Sequence, residues 1–114
     1  MSDAAPVDLQ RLRELAPGEP ADLRSFGDMF LDALDDHLTD LGRALAAGET
    51  PIAEQVAHTA AGVAGMCGAG TLAGLLEQVE TEARQGNLAL ARDRCTTIGA
   101  ERDRVRAFLD QQLT

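Results

Sequence analysis

The stretch His58-Thr59-Ala60-Ala61-Gly62-Val63-Ala64-Gly65-Met66-Cys67-Gly68-Ala69-Gly70-Thr71-Leu72 sets a single polar nucleophile in a run of small and apolar residues. Pro51 suits a first helical turn and Thr50 can cap it. Ile52, Val56, Val63 and Cys67 then recur at helical spacing and are expected to form the buried face. His58 lies off that face. One turn on are Ala61 and Gly62, with Gly65 beyond, so the imidazole stands over a floor of very small side chains. Such a floor lets another protein approach closely. Gly68 and Gly70 mark a tight break before the next helix.

Working outward, the same periodicity predicts helices on both sides. Towards the N-terminus, a helix from Pro20 to about Ala47 carries Leu23, Phe26, Phe30, Leu34, Leu38, Leu41 and Leu45 at three- and four-residue steps. Gly48 ends it. Asp28, Asp32, Asp35, Asp36 and Asp40 lie opposite that stripe, with Met29 and Ala33 at its edge. Before it, Asp8 can cap a short helix over 9–16 with Leu9, Leu12 and Leu15 as a narrow stripe, stopped by Pro17-Gly18. Towards the C-terminus, a helix over about 69–85 buries Leu72, Leu75, Leu76, Val79 and Ala83, with Glu80 and Arg84 one turn apart on a neighbouring face. A last helix over 88–113 uses Leu88, Ala91, Cys95, Ile98, Val105, Phe108 and Leu109. Short connections force antiparallel neighbours. The expected fold is all-α: an antiparallel, up-down-up-down four-helix bundle with a short N-terminal helix capping one end, in one domain spanning 1–114.

Composition agrees. With 45% apolar but only 3% aromatic residues, the 114-residue chain favours close helix packing around one core. The net charge is −9, and the acids are concentrated in the first half. Nucleic-acid binding relies on Lys and Arg neutralising phosphates, so no nucleic-acid partner is expected. No apolar run is long enough to span a bilayer, and Met1-Ser2-Asp3 does not open a signal peptide. A cytoplasmic, monomeric protein without membrane association is the expectation, and that start fits an independent chain. Cys67 and Cys95 lack C-x-x-C spacing and read as small, reduced core residues.

A lone helical histidine is usually a surface or hydrogen-bonded residue, so His58 needs its context to count as a nucleophile. His37, in Asp35-Asp36-His37-Leu38-Thr39-Asp40, invites a metal hypothesis. One helix supplies too few ligands at fixed geometry, however, and no metal site is expected. Nor do Ser25 and either histidine make a hydrolase, since no oxyanion-hole loop or positioned acid can be read.

His58, Gly62, Gly68, Ala69 and Leu72 fall on an H-x-x-x-G-x-x-x-x-x-G-A-x-x-L pattern, Val79 to Asn87 on an L-E-x-x-x-R-x-G-D/N segment, and Met29-Phe30 where an earlier helix carries Phe. In these features the chain resembles the histidine phosphotransfer (HPt) domains of two-component phosphorelays. The resemblance implies that His58 takes a phosphoryl group from a receiver-domain aspartate, holds it as phosphohistidine and passes it to another receiver. It implies response-regulator receiver domains and a hybrid sensor histidine kinase as partners. No cofactor of the chain's own is implied, because the receiver brings Mg²⁺, and no kinase or ATP-binding signature is present.

The resemblance also makes Arg84 and Glu80 phosphate-supporting candidates, with Glu80 a candidate to orient His58 by hydrogen bonding. The competing reading makes both of them surface charge, with Arg84 paired to Glu80 or Glu77. For docking, it points to the His58 helix and the long helix before it: Ala61, Gly62 and Gly65 would permit approach, Met29 and Ala33 would give apolar contact, and Asp28 and Asp32 a polar rim. One departure stands out. Where the family usually has Lys three residues after the histidine, this chain has Ala61, and it contains no Lys at all. Loss of such a charge-assisted contact is on the order of 1.5 to 3 kcal/mol. That departure motivates an alternative, a non-phosphorylatable docking module that regulates a receiver or kinase by occupancy.

Overall fold

The computed structural model describes residues 5–113, so the Met1-Ser2-Asp3 start lies outside the described residues. Five helices follow in order: α1 (Leu9–Leu15), α2 (Pro20–Ala46), α3 (Thr50–Met66), α4 (Gly70–Arg84) and α5 (Leu88–Gln112). The four long helices make an antiparallel bundle in which α3 packs between α2 and α4, and α5 closes the ring against α4 and α2. Among the described residues there is no strand, and no helix is long and apolar enough to cross a membrane.

Local chemistry sets the ends. At α2 the Glu19 N–H donates to Asp22 Oδ2 at 3.1 Å, with Pro20 supplying the first turn. At α3 the cap is Glu49 rather than Thr50, which already lies inside the helix and makes no capping bond. Gly48, Gly68 and Gly86 follow the C-termini of α2, α3 and α4 at φ of 70°, 81° and 78°, the left-handed conformation that ends a helix cheaply only for glycine.

α1 closes the end of the bundle where α3 turns into α4. Asp8 caps it through the Arg11 N–H at 3.3 Å. The Asp8 N–H donates to the Gly68 carbonyl at 2.9 Å, and Arg11 Nε to that of Met66 at 3.1 Å. Val7 and Leu12 are buried beneath this junction.

The leucine stripes of α2, α4 and α5 form the core: Leu31, Leu34, Leu41, Leu72, Leu76, Ile98 and Val105 have no exposed surface. α3 departs from its expected face. Its buried residues are Ala53, Ala57, Ala60, Ala61 and Ala64, while Ile52 is 49% exposed and Val56 and Val63 are half-buried. Alanines let the α3 backbone lie close against its neighbours, so the larger side chains are pushed to the flanks. Cys67 is buried as expected and Cys95 half-buried; desolvation raises both thiols above their ordinary values. Two acids also enter the interior. Glu82 takes two bonds from Arg94 Nε, both 2.9 Å, and Glu101 takes one from Arg104 at 2.9 Å.

Candidate functional site

His58 sits midway along α3 with its side chain 69% exposed. Its Nδ1 lies 3.2 and 3.1 Å from the two carboxylate oxygens of Glu80 on α4. Glu80 is far less accessible, at 16%. Oε2 of Glu80 also accepts from Arg84 Nη2 at 3.0 Å, and Arg84 Nε reaches back to Glu54 Oε1 on α3 at 2.9 Å. Glu54 and His58 are one turn apart on α3, as are Glu80 and Arg84 on α4. Because the helices run antiparallel, the two pairs face each other as a two-rung ladder.

This geometry fixes the chemistry available to the imidazole. An ionised carboxylate only accepts hydrogen bonds, so the Nδ1 facing Glu80 carries the ring proton. In the neutral ring the lone pair is then on Nε2. Arg84 is held charged chiefly by its hydrogen bond to Glu54, then by the attraction of Glu54 and Glu80, and its affinity for the proton rises accordingly.

Beside the imidazole, α3 and α4 leave a cleft of about 430 Å³ lined by His58, Ala61, Gly62, Glu77, Glu80, Thr81 and Arg84. Ala61 is buried at the base of this cleft, 7% exposed, so it forms floor rather than outer surface. Gly62 is open: a Cβ added there would meet nothing within 4 Å. Gly65 is exposed too, and its added Cβ would touch only the Ala73 methyl at 3.8 Å. The Thr81 hydroxyl donates to the Glu77 carbonyl at 3.2 Å. Among the described residues no group of three or more His, Cys, Asp or Glu side chains could hold a metal ion.

The proposed docking residues of α2 fall into two sets. Met29, 67% exposed, and Ala33 are accessible. Asp28 is tied to the α5 flank, and Asp32 is exposed beside it. Asp28 accepts from Arg106 Nη1 at 2.9 Å and lies 3.5 Å from Arg24, and Asp32 adds to the field at Arg102 of α5. The helical phase decides this: Asp28 lies seven residues before Asp35, which is bonded to Arg102 at 2.8 Å, so both acids project from one side of α2. The Arg106 hydrogen bond holds the Asp28 carboxyl below its usual range.

Sequence patterns did not single out Glu54 or Thr81, and they offered Glu77 only as a partner for Arg84, which bonds Glu54 and Glu80 instead. The only other signal was the i,i+4 spacing of Glu54 with His58 and of Glu77 with Thr81. That spacing acquires meaning once the α3–α4 register is known.

A family model described as "Hpt domain" matches residues 26–111. Among solved structures, the crystal structure of histidine-containing phosphotransfer protein B (HptB) from Pseudomonas aeruginosa PAO1 is similar, with a TM-score of 0.85 at 27% identity over 96% of each chain. No curated protein matches the sequence.

Proposed function

The chain belongs to the Hpt domain family, and from that footing we propose that it relays phosphoryl groups through His58 in a two-component phosphorelay. The observation that carries this reading is the contact between Nδ1 of the exposed His58 and Glu80, which in the neutral ring leaves the lone pair on Nε2, beside a Gly62 with open space over it. In the forward step the Nε2 lone pair attacks the phosphorus of a receiver's aspartyl phosphate. The Oδ–P bond breaks, an Nε2–P bond forms, and the aspartate leaves as carboxylate. The ring becomes cationic as the N–P bond forms, and Glu80 stabilises that charge through the proton retained on Nδ1. Transfer to a second receiver reverses these steps.

Phosphoryl transfer depends mainly on positioning and charge neutralisation. The receiver supplies Mg²⁺ and its acidic pocket, and this chain supplies a fixed nucleophile. The partners that fit are receiver domains, with a hybrid sensor kinase upstream, meeting a cytoplasmic, monomeric HPt domain. The outer face of α3 around Gly62 and Gly65 is the approach surface, with Met29 and Ala33 of α2 as its apolar margin.

The test is transfer from phosphorylated receivers to wild-type protein and to the His58→Gln variant. Acid-labile, base-stable phosphate on wild type alone supports the relay. Ala61 and the engagement of Arg84 by two carboxylates favour a second reading, an occupancy-only regulator. Under that reading wild type binds the receiver without accepting phosphate, and His58→Gln keeps the biological effect.

A further inference from the structure

Resting on that phosphotransfer reading, the charge around His58 has a direction built into it. The charged groups that line the cleft with the imidazole are Glu77, Glu80 and Arg84 from α4, and Glu54 from α3 stands behind Arg84. Three carboxylates meet one guanidinium, whose Nε and Nη2 already serve Glu54 and Glu80. Glu77 differs from the other two acids. It is exposed, it lines the same cleft as His58, and its carboxylate has no cationic partner among the described residues. A phosphoryl group on Nε2 brings two negative charges to this wall, and no other Lys, Arg or His lines the cleft to offset them.

We infer that Glu77 biases the phosphoryl exchange outward, making phosphohistidine in this chain a departing state whose equilibrium with an aspartyl phosphate is displaced towards the receiver. The exchange itself needs no further reactant. The Nε2–P bond breaks as the Oδ–P bond forms, and the imidazole departs neutral because the proton stays on Nδ1, hydrogen-bonded to Glu80. Glu77 acts on one side of this equilibrium, since its repulsion is felt only while the phosphoryl group is on His58. Acting across a shared, water-filled cleft and partly screened by salt, one such charge displaces the ratio by about two- to fivefold.

The experiment phosphorylates the wild-type protein and the Glu77→Gln and Glu77→Lys variants with phosphoramidate in the absence of a receiver. Each is then mixed with one receiver domain and Mg²⁺, and the ratio of phosphohistidine to aspartyl phosphate is read at the exchange plateau. Glu14→Gln, on the exposed face of α1, is the control. Neutralising Glu77 is expected to raise the ratio about two- to fivefold at low salt. Reversing its charge should raise it about four- to twenty-fivefold, the square of that effect. Both gains should shrink in 0.5 M salt while the control stays at the wild-type ratio; this concentration is about five times the 0.1 M at which screening already acts over ~10 Å. Equal ratios in all four proteins, or an equal rise in the control, overturn the role of Glu77 while leaving the relay intact. If wild type takes no phosphate from either donor, the relay reading falls and this inference with it.

Discussion

Adding a side chain at Gly62 should make this protein more stable and a poorer phosphoryl carrier. Gly62 lies inside α3 with ordinary helical geometry, and a Cβ there meets nothing within 4 Å. Gly→Ala in a helix interior gains about 0.5 to 1 kcal/mol, since glycine loses the most backbone freedom on folding. For a chain of this length about 1 kcal/mol corresponds to ~4 °C in Tm. Gly62→Leu should gain nearly as much, because leucine is almost as good a helix former. The same change places four carbons on the face beside His58. Displacing a reacting group by about 1 Å can cost ~100-fold in rate, so transfer should fall about tenfold for Ala and ~100-fold for Leu.

Gly42→Leu is the matched control for that pair. Gly42 is exposed on α2, open to an added Cβ, and lies seven residues beyond Asp35 on the flank that faces α5. It should gain similar stability without altering transfer. Thermal melts by circular dichroism and single-turnover transfer from a phosphorylated receiver measure both quantities. A Gly62→Leu protein that transfers at the wild-type rate, or a Gly42→Leu protein that loses as much, would refute a close approach over α3.

Three further predictions concern the scaffold. Gly68→Ala and Gly86→Ala both place a side chain at positive φ, which costs about 1 to 2 kcal/mol, but only at Gly68 would the new Cβ approach Asp8 O at 3.0 Å. Urea titrations should therefore show the larger loss for Gly68→Ala, and equal losses would deny α1 its part in holding the α3–α4 turn. Ala57→Leu, at a position with no exposed surface, should lose about 1 to 3 kcal/mol by overpacking and slow transfer by shifting α3 against α4; unchanged melting would show slack in that interface. Asp28, whose carboxyl Arg106 holds below its ordinary value of 3.8, contributes stability that is present above that value and lost as pH falls through the lower native one. Asp28→Asn should flatten the acid limb of a stability–pH profile below about pH 4, and an unaltered limb would count against the ion pair in solution.

The bundle was legible wherever large side chains mark the buried stripe. Leucines at three- and four-residue steps announce α2 and α4, and the HPt-like spacing from His58 to Leu72 anticipated the family. α3 was harder, because its buried face is alanine and alanine carries little hydrophobic signal. The eye goes instead to Ile52 and Val63, which the packing leaves on the flanks. The site was legible in part for a related reason. A pattern along one helix can pair Glu80 with Arg84, and the family resemblance offered Glu80 to His58, but pairing Glu54 with Arg84 needs the register between α3 and α4. That register is set by the Gly68 turn and the close alanine contact, neither of which a hydrophobic pattern encodes. The ion pair of Asp28 with Arg106 shows the same blindness, since it reaches across to α5.

The central claim is that His58 presents Nε2 for phosphorylation while Glu80 keeps the proton on Nδ1. Phosphorus and ring-nitrogen NMR of ¹⁵N-histidine-labelled protein, recorded before and after phosphorylation by a receiver, tests it directly. The account predicts a Nδ1-protonated tautomer at rest and an Nε2–P bond on His58 afterwards, with His37 unchanged. Phosphate on Nδ1 of His58, on His37 or on no histidine at all would contradict it.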